Sequence, residues 1–257
     1  MKNTALITGA SSGIGLELAR IHASKGGDLV LVARSTSKLE ELKTELENQF
    51  KINVVVITKD LALQDAAKEV YEETTRQQIH IDYLINNAGF GDFGHFAKTD
   101  WMKEEQMIDL NITTLTHFTK LYLQDMIKRG SGKIMNVAST AAFQPGPTMA
   151  VYCATKAYVL SFSEAVDNEV RDKGISITAL CPGATATHFG SVAGMENSKL
   201  FSNKNLPTAH DVARYGYASM MKGKTVATHG LLNYILSNAS RFIPRFMVVK
   251  VARKMIE

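Results

Sequence analysis

Tyr152 and Lys156 stand four residues apart in the stretch STAAFQPGPTMAVYCATK, which runs from Ser139 to Lys156. On a helix such a pair shares one face, so an ammonium would lie beside a phenol. A free tyrosine, with a pKa of roughly 10, is a poor base at neutral pH. A cation about 4 Å away, at an effective dielectric near 20, favours the phenolate by about 4 kcal/mol. At ~1.36 kcal/mol per unit this would move Tyr152 down by roughly 3 units, with burial of the phenolate opposing it. A phenol tuned in this way can protonate a carbonyl oxygen or deprotonate an alcohol. Ser139 could hydrogen-bond the same oxygen and hold it in place. Alone, a Tyr-Lys pair at this spacing is more often an exposed helical pair, so the chemistry depends on the elements that position it.

The apolar run Lys133–Ala138 reads as a buried strand ending at Ser139, and Gln144-Pro145-Gly146-Pro147 as the loop before the helix that carries Tyr152. Near the N-terminus, strand Thr4–Thr8 leads into Gly9-Ala10-Ser11-Ser12-Gly13-Ile14-Gly15 and then a helical pattern through Leu16, Leu18, Ala19 and Ile21. Strand, glycine turn, helix is the context of a pyrophosphate site. Gly9 permits the tight turn, Gly13 the approach of backbone to phosphate, and Gly15 the close packing of helix on sheet. The pyrophosphate would meet free N–H groups at the helix start, beside Ser11, Ser12 and Ile14. The next strand, Asp28–Val32, ends in Ala33-Arg34-Ser35. An acid there would bind the ribose hydroxyls of NAD. Arg34 instead suits a 2′-phosphate, with Ser35 and Ser11 adding hydrogen bonds, which favours NADP.

A helix is expected from Ser37 to Phe50, and a third strand over Val54–Ile57. Asp60, followed by Leu61, would either meet the adenine amine or cap a helix running from near Ala62 to Gln78. A fourth strand, Ile81–Ile85, ends in Asn86-Asn87-Ala88-Gly89, where small residues let a cofactor lie against the backbone. This alternation predicts an α/β fold with a doubly wound parallel sheet, binding ligands at the carboxyl ends of its strands.

The 257 residues are 45% hydrophobic and 21% charged, which fits one large α/β domain and excludes a disordered or fibrous chain. No linker, repeat or low-complexity tract divides the chain. Two cysteines, Cys153 and Cys181, make no disulfide framework and suit a reducing, cytoplasmic setting. The N-terminus lacks the apolar core of a signal peptide, and no 18-residue apolar run could span a membrane. The last 17 residues hold Arg241, Arg245, Lys250, Arg253 and Lys254 against Glu257, which accounts for the whole net charge of +4. The remainder is neutral and offers no nucleic-acid-binding face. No pair among the seven histidines has a convincing ligand spacing, so no metal is expected.

TGASSGIG, NNAG, and Ser139 with Y-x-x-x-K resemble the short-chain dehydrogenase/reductase family in its single-domain form, over Thr4 to about Leu232. The resemblance implies a Rossmann-like three-layer domain. It implies hydride transfer between NADP(H) and a carbonyl or alcohol substrate, with Tyr152 as proton donor. Asn111, in an expected long helix from Trp101 to Lys128, matches the family's catalytic asparagine, which holds a water that links Lys156 to solvent. Lys156 would also bond the nicotinamide ribose. Pro182, Gly183, Thr185 and Thr187 match the segment that contacts the nicotinamide. Residues 184–207 match the substrate lid, and a homodimer or homotetramer is implied.

His188, Phe189, Val192, Met195, Leu200 and Phe201 could form one apolar wall of a substrate site. Phe90, Phe93, Phe143 and Met149 could form the other, suggesting an apolar, medium-to-large substrate. Lys224–Gly230 reads as the last strand and its turn. Residues 241–257 form a basic amphipathic helix opened by Pro244. Packing on its own domain or on a twin subunit is the favoured use of that helix, and contact with an anionic membrane surface the other. A non-catalytic NADP-binding regulator and a membrane-surface protein remain alternatives; the intact Ser139, Tyr152 and Lys156 argue against the first.

Overall fold

The computed structural model describes residues 3–195, 198, 200 and 205–256. In chain order the elements are β1 (Thr4–Thr8), α1 (Gly13–Ser24), β2 (Asp28–Ala33), α2 (Thr36–Phe50), β3 (Val54–Thr58), α3 (Ala66–Arg76), β4 (Tyr83–Asn86) and α4 (Trp101–Ile108). They continue with α5 (Leu115–Arg129), β5 (Gly132–Val137), α6 (Ala150–Val170), β6 (Ile175–Cys181), α7 (Phe189–Val192), α8 (Ala209–Met221), β7 (Val226–Thr228), α9 (Leu231–Ala239) and α10 (Arg245–Ile256). The strands form one seven-stranded sheet in the order β3-β2-β1-β4-β5-β6-β7, with every pairing parallel.

Alternation along the strands divides the core into two layers. Ile7, Leu31, Ile85, Met135 and Leu180 face Leu18 of α1, Leu39 and Leu46 of α2, and Val212 and Met220 of α8. Their sequence neighbours Leu6, Val30, Leu84 and Ile134 face Val70 of α3 and Phe118, Tyr122 and Met126 of α5. A one-residue slip in any strand would exchange these sets. Full burial of a side chain such as Phe118 contributes about 2–3 kcal/mol.

Three boundaries differ from the sequence reading. The third helix begins at Ala66, because the Asp60 carboxylate accepts the Ala62 amide at 3.1 Å and turns the chain before the helix starts. The expected helix from Trp101 to Lys128 is interrupted by a π-helical turn over Asp109–Thr114, between α4 and α5. The last strand is shorter than Lys224–Gly230, and the tail beyond it is two helices, α9 and α10.

Candidate active site

β1, β2, β4, β5 and β6 all end on one edge of the sheet, and the segments after them line a single cleft of about 1160 Å³. At one end lie Arg34, Ser35, Asp60 and Leu61. Gly9, Ser11, Ser12, Gly13 and Ile14 follow, facing Asn87, Ala88 and Gly89. Ser139, Tyr152, Lys156, Pro182, Gly183, Thr185 and Thr187 line the deep end. Of the expected catalytic and cofactor-binding residues, Gly15 and Asn111 do not line it.

The glycine turn is packed as its residue types require. Gly9 has φ +66°, in the left-handed region, and a Cβ there would lie 2.8 Å from Asn87 Nδ2. A Cβ on Gly15 would lie 2.4 Å from both Asn87 Nδ2 and the Gly9 carbonyl oxygen, so this glycine serves the approach of α1 to the sheet. Ser12 caps α1 with extended backbone, yet its hydroxyl accepts none of the free N–H groups, and the first turn carries no acid. Those N–H groups are left for an anion. Thr187 reaches over this turn: a Cβ on Gly13 would touch its methyl at 3.4 Å.

Asp60 caps no helix: its carboxylate accepts the Ala62 amide in a turn ahead of α3, whose N-cap position is Asp65, and it lines the cleft. Arg34 is exposed at the end of β2 and has no ion-pair partner among the described residues. Lys38 and Lys59 line the same end, although Lys59 is paired with Glu69.

At the deep end Ser139 follows β5, and its Oγ accepts the Ala141 amide at 3.1 Å. Tyr152 and Lys156 share a face of α6, and both are buried. Lys156 Nζ donates to the Val137 carbonyl at 2.8 Å and lies 5.9 Å from the centre of the Tyr152 ring. Its other two N–H donors have no protein partner among the described residues. Burial lowers its pKa to about 8. The expected downward shift of Tyr152 is not found: burial drives this phenol up, and only the Ser139 hydroxyl opposes. The reason is competition between desolvation and charge. The phenol is buried, and the ammonium 5.9 Å from its ring centre does not offset the loss of water around it.

Asn111 is 0% exposed, behind Gly89. Its Nδ2 donates to the Phe90 carbonyl at 3.0 Å and to Thr155 Oγ1 at 3.1 Å, and its Oδ1 accepts the Phe90 amide at 3.3 Å. The π turn sets this side chain among neighbours from β4's loop and α6; such turns recur at functional sites. A Cβ on Gly89 would sit 2.8 Å from Asn111 Oδ1 and 3.3 Å from Lys156 Nζ, so glycine is what joins the two.

These residues fit a dinucleotide: a cation at one end, free helix N–H groups in the middle, and a buried ammonium with two spare donors at the other. Residues 3–198 match the family model of the short chain dehydrogenases. The chain is a short-chain dehydrogenase. It is an oxidoreductase of CH–OH and C=O groups that uses a nicotinamide cofactor. Among its relatives is the very-long-chain 3-oxoacyl-CoA reductase of Macaca fascicularis, 28% identical over 98% of this chain and 78% of that protein. A short-chain dehydrogenase from Sphingobium yanoikuyae, solved in complex with NADPH, superposes with a TM-score of 0.84. It is 30% identical, covering 93% of this chain and 94% of the other. The bulky-bulky ketone specific alcohol dehydrogenase from Comamonas testosteroni is also 30% identical, with a TM-score of 0.80 over 93% and 92% of the two chains.

In this dehydrogenase the proposed lid contributes His188, Phe189, Val192, Met195 and Leu200 to the cleft, with Phe90 and Met149 opposite. The Phe189 and Tyr152 rings lie 5.3 Å apart. Phe93 and Phe143 do not line the cleft but pack behind it; Phe201 lies outside the described residues. Several contributors escaped the sequence reading, among them one threonine and a group on α9. Thr8, at the end of β1, uses one hydroxyl oxygen to accept the amides of Asn87 and Ala88, at 3.0 and 2.9 Å. Its only signal was its place at a strand's carboxyl end. The others are Leu231, Leu232, Asn233 and Leu236 of α9, which face the cleft after β7. The same strand-end rule applied to β7 would have found them.

Proposed function

We propose that the chain is an NADP(H)-dependent reductase of apolar, medium-to-large ketones or aldehydes. The reading rests on the convergence of Ser139, Tyr152 and Lys156 at the deep end of a cleft whose outer walls are apolar. When bound, the nicotinamide supplies the hydride. Tyr152 holds a proton at neutral pH, because burial keeps the phenol protonated, and gives it to the carbonyl oxygen. A developing alkoxide is the stronger base, so this protonation state suits reduction. Ser139 donates to the same oxygen and fixes its position. Lys156 orients the cofactor ribose through its two spare donors, and Asn111 holds the water that returns protons to it. Arg34, with Lys38 beside it, binds the 2′-phosphate and selects NADP(H) over NAD(H). Gly9, Ser11, Ser12, Gly13 and Ile14 hold the pyrophosphate. Asn87, Ala88 and Gly89 flank the cofactor. Pro182, Gly183, Thr185 and Thr187 flank the nicotinamide.

The chain works as one catalytic domain, with residues 184–207 as the substrate lid. A cleft of about 1160 Å³ exceeds the usual ~300–1,000 Å³ of a small-molecule site, leaving room for a bulky substrate beside a dinucleotide. The Comamonas relative's preference for ketones with two bulky groups supports this. Two buried free cysteines suit a cytoplasmic location, and among the described residues no helix is long and apolar enough to cross a membrane. A homodimer or homotetramer would form through α5 and α6, where Tyr158 stacks on Phe162 and bonds Thr116 at 3.2 Å.

The test is NADPH oxidation over a panel of ketones and aldehydes graded by size and polarity, with Tyr152→Phe beside the wild type. Turnover should rise toward bulky apolar members and vanish in the variant, while NADPH affinity is kept. Unchanged turnover in Tyr152→Phe would remove that residue from the chemistry.

A further inference from the structure

The last two helices leave a surface that the fold does not use. One stripe of α10, Val248, Ala252 and Ile256, is buried against the domain, and Ile256 packs with Cys153 and Met149. The expected packing of this helix on its own domain is therefore met by that stripe alone. The rest of α10 is apolar too, with Phe246, Met247, Val251 and Met255 exposed. Between the helices Phe242 is 87% exposed, and on α9 Leu231, Leu232, Tyr234 and Ile235 stand in water. At about 200 Å² per aromatic side chain, Phe242 at 87% and Phe246 at 65% alone expose roughly 300 Å². Adding the aliphatic side chains carries the surface past the ~300–600 Å² of an ordinary monomer's largest patch.

This surface encircles an opening. Leu231, Leu232, Leu236, Ile243, Val251 and Met255 are exposed and also line the cleft. Val192 of the lid, likewise exposed, lines it with them. The apolar surface is thus continuous with the substrate mouth.

Among the described residues of α9, α10 and the turn between them, the charge is of one sign. Arg241, Arg245 and Lys250 are exposed and have no ion-pair partner among the described residues. Arg253 and Lys254 follow on the same helix, and Lys250 and Lys254 fall among the exposed apolar side chains. A second copy of the chain would have to meet this patch with the same patch across a twofold axis, bringing like charges together. An anionic lipid surface satisfies both halves: acyl chains receive the apolar side chains, and headgroups the arginines and lysines.

We propose that α9 and α10 seat the protein on an anionic membrane surface with the mouth of the cleft against the lipid, so that a membrane-dissolved substrate enters without crossing water. The route of entry rests on the apolar-substrate reading; the docking itself does not. The substrate class follows: carbonyl or alcohol compounds that partition into bilayers.

The experiment is vesicle flotation of the full chain with phosphatidylcholine alone and with added phosphatidylserine, at low and high salt. The wild type should float with the anionic vesicles, and less so as salt rises. Phe242→Ser with Phe246→Ser, and separately Arg241→Gln with Arg245→Gln and Lys250→Gln, should each reduce the floated fraction at least tenfold. None of these residues lines the cleft, so NADPH affinity should stay unchanged and report intact folding. A wild type that stays with the unbound fraction overturns the proposal. So does a wild type that is dimeric in solution and becomes monomeric in Phe242→Ser with Phe246→Ser, since the occupant would then be a second copy. Flotation is read without turnover, so failure to find a reducible ketone is a separate result.

Discussion

Replacing Lys156 with methionine should remove a pH dependence from the protein's stability. In the folded chain this lysine titrates at about 8, against 10.5 for an ordinary lysine, because burial strips water from its charge. Below about pH 8 both folded and unfolded chains hold the proton, and the folded chain bears the whole desolvation penalty. Between about 8 and 10.5 the folded chain has released the proton while the unfolded chain still binds it, so rising pH stabilises the folded state. The separation of the two values corresponds to about 3 kcal/mol. Methionine avoids this penalty but loses the 2.8 Å hydrogen bond to the Val137 carbonyl, a loss of about 1–3 kcal/mol if that oxygen is left unpaired. At neutral pH the variant should therefore match or slightly exceed the wild type in stability while losing turnover. By about pH 10.5 its stability relative to wild type should have fallen by about 3 kcal/mol. Cys153, pushed up by burial to about 11, acts in the opposite direction and equally in both proteins; Cys181, pushed up to about 12, also opposes, and it loses the downward pull of Lys156 in the variant. Urea unfolding of the two proteins at a series of pH values measures the difference directly. Stability curves that run parallel across the window would show that the folded lysine keeps its charge at no penalty, and would refute the argument from burial.

Arg34→Ala should weaken NADPH binding at least tenfold, about 1.4 kcal/mol, and leave NADH binding unchanged, as read by cofactor fluorescence. Equal losses for the two cofactors would remove Arg34 from the 2′-phosphate. Thr8→Val should lower stability by about 1 kcal/mol, because the half-buried Ala88 amide loses its 2.9 Å acceptor. Urea midpoints test this, and an unchanged midpoint would mean that the loop after β4 is held by its other bonds.

Local pattern determined most of this architecture. Apolar runs bounded by glycine, asparagine and serine marked β1, β2, β3 and β5, and their alternation with helices dictated a parallel sheet, since only crossovers can join strands that point the same way. Gly9, Gly13 and Gly15 were legible because each answers a demand of the backbone itself. The pairing of Tyr152 with Lys156 followed from helical period. What the sequence could not supply was the environment of each group. Proton affinity depends on how much water is removed and from where, so Tyr152 came out raised by burial where spacing alone suggested a shift downward. The π turn at Asn111 is a matter of packing between α4, α5 and α6 that no local period announces. Asp60 closes a turn instead of capping a helix because the chain after β3 bends before α3 begins. The apolar rim formed by α9 and α10 looked like ordinary core in one dimension. Only the folded chain shows one stripe of α10 spent on the domain and the other left facing out around the mouth of the cleft.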